Sequence, residues 1–81
     1  MKVKLRLFSI AKDLAGFNEQ VIEVPQGSVA EDVLQNLIQK NAKFIDWERS
    51  LRYAVNLEYV PGDFPLHNGD EVAVIPPVSG G

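Results

Sequence analysis

The residues best suited to chemistry close the sequence, in the stretch Ile75-Pro76-Pro77-Val78-Ser79-Gly80-Gly81. Pro76 and Pro77 lack the N–H that a strand ladder needs and fix φ near about −65°. The residue before each proline is held to extended conformations as well. Residues 76–81 therefore read as a directed arm, reaching roughly 20 Å when fully extended. Gly80 and Gly81 carry no side chain, so they can thread a channel that any larger residue would block. Read as the terminus, Gly81 presents a carboxylate with a pKa of about 3.3–3.7, ionised and a poor electrophile at neutral pH. It becomes reactive once activated, for example as an acyl-adenylate made with ATP by another enzyme. Residues 1–75 are then the folded domain and 76–81 a tail that carries the reactive end.

Other chemistry is scarce. The sequence has no cysteine, which excludes disulfides, thiolate metal sites, iron–sulfur clusters and a cysteine nucleophile. Its single histidine, His67, lies in the turn-like stretch Pro65-Leu66-His67-Asn68-Gly69-Asp70 and is expected to be a solvated loop residue. No metal site and no bound cofactor are expected. A glycine-rich phosphate loop followed by Lys and Ser or Thr is missing, so ATP would be consumed by a partner. The net charge of −3 argues against nucleic acid, whose phosphates require a dense basic surface. With 46% hydrophobic and 23% charged residues the chain has an ordinary globular composition. No apolar run approaches the roughly 20 residues that span a bilayer, and Met1 to Phe8 lacks the apolar core of a signal peptide. A cytoplasmic protein of one domain is expected.

Several elements must position the tail. Val3, Leu5 and Leu7 alternate with Lys2, Lys4 and Arg6, the period of a strand with one buried face. Ser9 to Gly16 reads as a short helix, with Ser9 as N-cap and Gly16 ending it. Glu19 to Val24 reads as a second strand, with Phe17 and Asn18 at the tip of the connection. Ser28 to Asn41 is the main helix. Ser28 and Glu31 fit a capping box, and Val29, Val33, Leu34, Leu37 and Ile38 form its apolar stripe. Phe44 and Trp47 fit either a closing of the core or a partly exposed position. Arg52 to Val60 holds a third strand and a short fourth, and Glu71 to Ile75 the last. One amphipathic helix on a mixed sheet is an α+β arrangement. A last strand returning parallel to the first gives the ubiquitin-like β-grasp.

Strand parity then places apolar residues outside. If Val3, Leu5 and Leu7 face the helix, Phe8 shares the outer face with Lys2, Lys4 and Arg6. Val72 and Val74 face inward, which leaves Glu71, Ala73 and Ile75 outside. With the first and last strands parallel neighbours, Phe8 and Ile75 meet near the root of the tail. Tyr59 is a third candidate for that patch. The alternative is that Phe8 covers the short helix and Ile75 is a sheet-end residue, since scattered exposed apolar residues are common.

The stretch NGDEVAVIPPVSGG, with the opening VKLRLFSIAKDLAG and the strand AVNLEYV, resembles the small subunit of molybdopterin synthase across essentially the whole chain. The resemblance implies a β-grasp sulfur carrier. Gly81 is adenylated by an E1-like adenylyltransferase using ATP and then converted to a thiocarboxylate by way of a sulfurtransferase donor. The tail, Pro76, Pro77, Val78, Ser79 and Gly80, enters the active site of the large subunit. Sulfur passes there to cyclic pyranopterin monophosphate, building the dithiolene that binds molybdenum. Phe8 and Ile75 match contact positions with the large subunit, and Tyr59 matches a third that is commonly aliphatic. The implied assembly is a heterotetramer, a central large-subunit dimer with one small subunit at each end. The general acids and bases lie in the large subunit, so this chain alone is expected to be inert.

Other functions share the activation chemistry. A carrier for thiamin or for a thiolated tRNA base is one, although thiamin carriers usually are shorter and lack the Pro-Pro segment. A ubiquitin-like modifier joining Gly81 to a target lysine is another. A plain β-grasp interaction module is the remaining alternative, and it predicts that removal of Gly81 changes nothing.

Overall fold

The structure is a computed structural model that describes residues 1–47 and 50–75, with the backbone alone at residues 9, 10, 14, 46 and 47. Strand β1 (Lys2–Leu7) is followed by helix α1 (Ser9–Ala15), strand β2 (Glu19–Glu23) and helix α2 (Ala30–Lys40). A 3-10 segment (Ala42–Trp47) leads to strands β3 (Arg52–Val55), β4 (Glu58–Val60) and β5 (Glu71–Ile75). These strands form one sheet in the order β2-β1-β5-β3-β4. β1 and β5 are parallel at its centre, and every other pairing is antiparallel. With α2 packed on one face, this is the ubiquitin-like β-grasp, an α+β fold.

The alternation read from the sequence is the alternation of burial. Val3, Leu5, Leu7, Val72 and Val74 are buried, and they meet Val33, Leu34 and Leu37 of α2 in one core. Each such side chain contributes about 1.5–3 kcal/mol on leaving water, which is what holds so short a chain folded. Phe44 is wholly buried in that core, so it closes the core rather than lying at the surface. The side chain of Trp47 lies outside the described residues. Gly16 ends α1 at φ 84°, a left-handed C-cap in which its N–H donates to the Lys12 carbonyl. The N-cap of α1 is Phe8, not Ser9, and it contributes no side-chain hydrogen bond.

The start of α2 also differs from the expectation. Ser28 is not its cap: the helix begins at Ala30 with Val29 as N-cap, and the Val29 N–H donates to Asp32 Oδ2 at 2.8 Å. The half-box is therefore shifted by one residue from Ser28 and Glu31. The cause is non-local. Val29 stays extended because it bridges to Pro65, while the Ala30 and Glu31 N–H groups donate to the carbonyls of Phe64 and Gly62. The loop after β4 thus satisfies two of the donors that a side-chain cap would otherwise serve. Ser28 turns its hydroxyl back to the Pro25 carbonyl at 2.7 Å, closing the tight turn after β2. Val29 accordingly leaves the helical stripe and Ala30 takes its place in the core, with Ile38 partly buried beside it.

Candidate docking face at the end of β5

The outer face of the sheet carries the candidate site. In β1 and β5, Leu7 pairs with Val74, so Phe8 and Ile75 follow as neighbours at the same end of the two strands. Phe8 is 43% exposed and Ile75 is half-buried. Tyr59 joins them from β4, at the edge of the sheet. It pairs with Ala54 of β3, and Ala54 pairs in turn with Ala73 of β5, so all three side chains share the outer face. Parity thus brings Phe8, Ile75 and Tyr59 around one shallow hollow of about 210 Å³. β5 ends at Ile75, the residue before Pro76, so the hollow lies at the root of the tail. Pro76, Pro77, Val78, Ser79, Gly80 and Gly81 themselves lie outside the described residues.

Ala73, placed outside by parity, forms the floor of the hollow with Ala54, and Leu57, at the tip of the β3–β4 turn, forms a wall. Sequence reasoning missed Ala54 and Leu57. The signal for Leu57 was present in Asn56-Leu57, a pair occupying a hairpin turn where Asn-Gly is the favoured dipeptide. Arg6 is also more than a solvated charge. Its guanidinium lies over the Phe8 ring, 5.7 Å from the centroid, and approaches Glu71 Oε2 at 3.6 Å. One side of the hollow is therefore capped by a neutralised ion pair. Further along the face, Lys4 Nζ meets Glu19 Oε1 at 3.0 Å. That hydrogen bond, with the charges of Lys4 and Arg6, holds the Glu19 carboxyl below its ordinary range.

The remaining candidates for chemistry stay apart. His67 is exposed, and its backbone N–H donates to Asp70 Oδ2 at 2.8 Å, which makes it a turn residue. Among the described residues no group of three His, Cys, Asp or Glu converges as a metal would require. A more open hollow of about 500 Å³ runs between the turn after β2 and α2, and it includes none of Phe8, Tyr59 and Ile75. No helix among the described residues is long and apolar enough to cross a membrane.

Residues 5–81 match the model of the ThiS family, from the second core position of β1 to the last glycine. The chain belongs to the ThiS family. A relative from Chlamydomonas reinhardtii, described as "Molybdopterin synthase sulfur carrier subunit", is 40% identical over the full length of both chains. A human protein of the same description is 34% identical, with 99% of this chain and 94% of the human one aligned. Among solved structures, a "Putative molybdopterin converting factor, subunit 1" from Pyrococcus furiosus superposes with a TM-score of 0.84 at 34% identity. It covers 96% of this chain and 99% of its own. This ThiS-family chain also shares its fold with a chain of the Helicobacter pylori complex of subunits 1 and 2 of Molybdopterin-converting factor. There the TM-score is 0.66 and the identity 23%, over the whole of both chains.

Proposed function

We propose that this chain is the sulfur carrier subunit of a molybdopterin synthase. Gly81, as the terminal residue, is adenylated by an E1-like enzyme that consumes ATP. A sulfur donor then replaces the adenylate, so that one carboxylate oxygen becomes sulfur. The thiocarboxylate is a better nucleophile than the carboxylate, and within the large subunit it delivers sulfur to cyclic pyranopterin monophosphate. Hydrolysis of the resulting acyl link returns the Gly81 carboxylate for another round. No cofactor is held by this chain, and it has no activity alone. Pro76 to Gly80 form the slim arm that carries Gly81 inward, while Phe8, Ile75 and Tyr59 dock the domain.

The observation that carries this reading is the place of Phe8 and Ile75 together on one outward hollow, where the chain enters Pro76-Pro77. An apolar face at the root of an arm allows a partner to grip the domain and receive the arm at once. The full-length relatives described as sulfur carrier subunits support the same reading. The proposed setting is the cytoplasm, in an assembly of two large and two small subunits.

Mass spectrometry tests it after incubation with the activating enzyme, ATP and a sulfur donor. A gain of about 16 Da, oxygen replaced by sulfur, is expected on Gly81. A chain lacking Gly81 should keep its fold and lose the gain, since a terminal arm adds little to the core. Sulfur transfer that persists without Gly81 overturns the proposal. A lysine-linked conjugate at Gly81 in place of the 16 Da gain assigns the chain to protein modification instead.

A further inference from the structure

We infer that the hollow on the outer face is a socket for one bulky apolar side chain of the large subunit, and that Leu57 is held in a disfavoured conformation to wall it. The inference rests on the function proposed above and names how the partner is recognised.

Asn56 and Leu57 are the two central residues of the β3–β4 turn, with φ of 51° and 73°. Positive φ at both positions is the geometry in which Asn-Gly is preferred, because a β-carbon crowds the backbone there. Asn56 suits its place and is bonded into it. Leu57 does not suit its place. A branched apolar side chain in the left-handed region is an outlier for its type. Burial brings no return, since Leu57 is 88% exposed. Glycine would serve the isolated domain better. A strained residue that contributes nothing to its own fold points to use elsewhere.

The surroundings supply that use. Ala54 and Ala73 pair across β3 and β5 and, having only methyl groups, leave the centre of the face sunken. Phe8, Ile75, Tyr59 and Leu57 stand around them. The hollow of about 210 Å³ is smaller than the roughly 300 Å³ at which small-molecule pockets begin. It suits a single large side chain, the form that anchors of protein interfaces commonly take. Arg6 and Glu71 neutralise one another at its side, so the occupant is apolar. Ile75 belongs both to this socket and to the root of the arm, so a protein that fills the socket also receives the arm, as the large subunit does in the proposed reaction.

Binding of the full chain to the large subunit of the same organism tests this, with the thermal midpoint measured on the same samples. Leu57→Gly and Leu57→Asn should each weaken binding at least about tenfold. The midpoint should hold or rise by a few degrees. Ala73→Leu, which fills the floor, should weaken binding by a similar factor with an unchanged amide spectrum. Wild-type affinity in both Leu57 variants, a clear fall in their midpoints, or unchanged or tighter binding by Ala73→Leu each overturns the socket. So does a self-associating chain whose dimer, and not its large-subunit complex, is lost in Leu57→Gly. The 16 Da gain on Gly81 is measured without the large subunit, so its failure identifies an error in the proposed function itself.

Discussion

Asn56 and Glu71 are joined by two hydrogen bonds: the Asn56 N–H donates to the Glu71 carbonyl at 2.8 Å, and the Glu71 N–H donates to Asn56 Oδ1 at 3.0 Å. The Asn56 amide also donates from Nδ2 to Asp70 Oδ1 at 3.0 Å. One side chain therefore fastens the β3–β4 turn to the first residue of β5, and with it the wall of the hollow to its floor. Asn56→Ala removes both side-chain bonds and leaves alanine at positive φ. The expected loss is about 2–3 kcal/mol, read from denaturant unfolding. Asn56→Asp keeps the acceptor for Glu71 but turns the donor toward Asp70 into a second carboxylate. Its loss should be smaller at low pH than at neutral pH, and a deficit independent of pH contradicts the assignment of that bond.

The start of α2 distinguishes local from non-local capping. Asp32 accepts the Val29 N–H, whereas the Glu31 side chain takes no place in a cap. Asp32→Ala should therefore cost about 1 kcal/mol in equilibrium unfolding, and Glu31→Ala should change stability by under about 0.5 kcal/mol. The box read from the sequence predicts the reverse order. Its failure has a physical reason. Ser28 and Glu31 carry the right residue types, but the carbonyls of Gly62 and Phe64 arrive from a loop more than a helix away in sequence. A local pattern registers which side chains could cap a helix, not which distant backbone reaches it first.

The Lys4–Glu19 pair gives a pH-dependent prediction. The hydrogen bond from Lys4 is the main cause of the lowered Glu19 pKa, with the charges of Lys4 and Arg6 adding to it. A carboxyl depressed in the folded state stabilises fully above its unfolded pKa, near 4.5, and loses that contribution as pH falls through the lower folded value. Titration of the Glu19 side-chain carbon by NMR should show a midpoint below 4.5 in the wild type and a return toward 4.5 in Lys4→Met. The difference should shrink in high salt, as it does for exposed pairs. An unchanged midpoint in Lys4→Met would remove the pair from the account.

Phe8 and Ile75 were legible because strand parity is a hard constraint. Once Leu7 and Val74 face the core, their successors face outward. The parallel pairing of β1 and β5, needed to bring the two together, is the pairing that the β-grasp topology expected from the order of elements requires. Leu57 was not legible in the same way. Alternation marks a residue's face within a strand and carries no information on the φ of a turn. Phe44 was undecidable for a related reason. Its 3-10 segment has too few residues for a periodic pattern, and its burial comes from the volume left between α2 and the sheet.

Two phenylalanines in this chain should respond differently to the same change. Phe44 is fully buried, so Phe44→Ala leaves a cavity and should cost about 3–5 kcal/mol. A chain this small has little reserve against such a loss. Phe8 is 43% exposed and gains mainly its contact with Arg6, worth about 0.5–1 kcal/mol at an exposed site. Phe8→Ala should therefore lower stability by about 1 kcal/mol while weakening large-subunit binding by about 2 kcal/mol, near thirtyfold. Ile75→Ala should behave in the same direction, since its side chain lies on the same outer face. Calorimetric unfolding and titration on the same preparations separate the two quantities. If both variants bind as the wild type does, the apolar face is a property of the sheet alone and docking must use other residues.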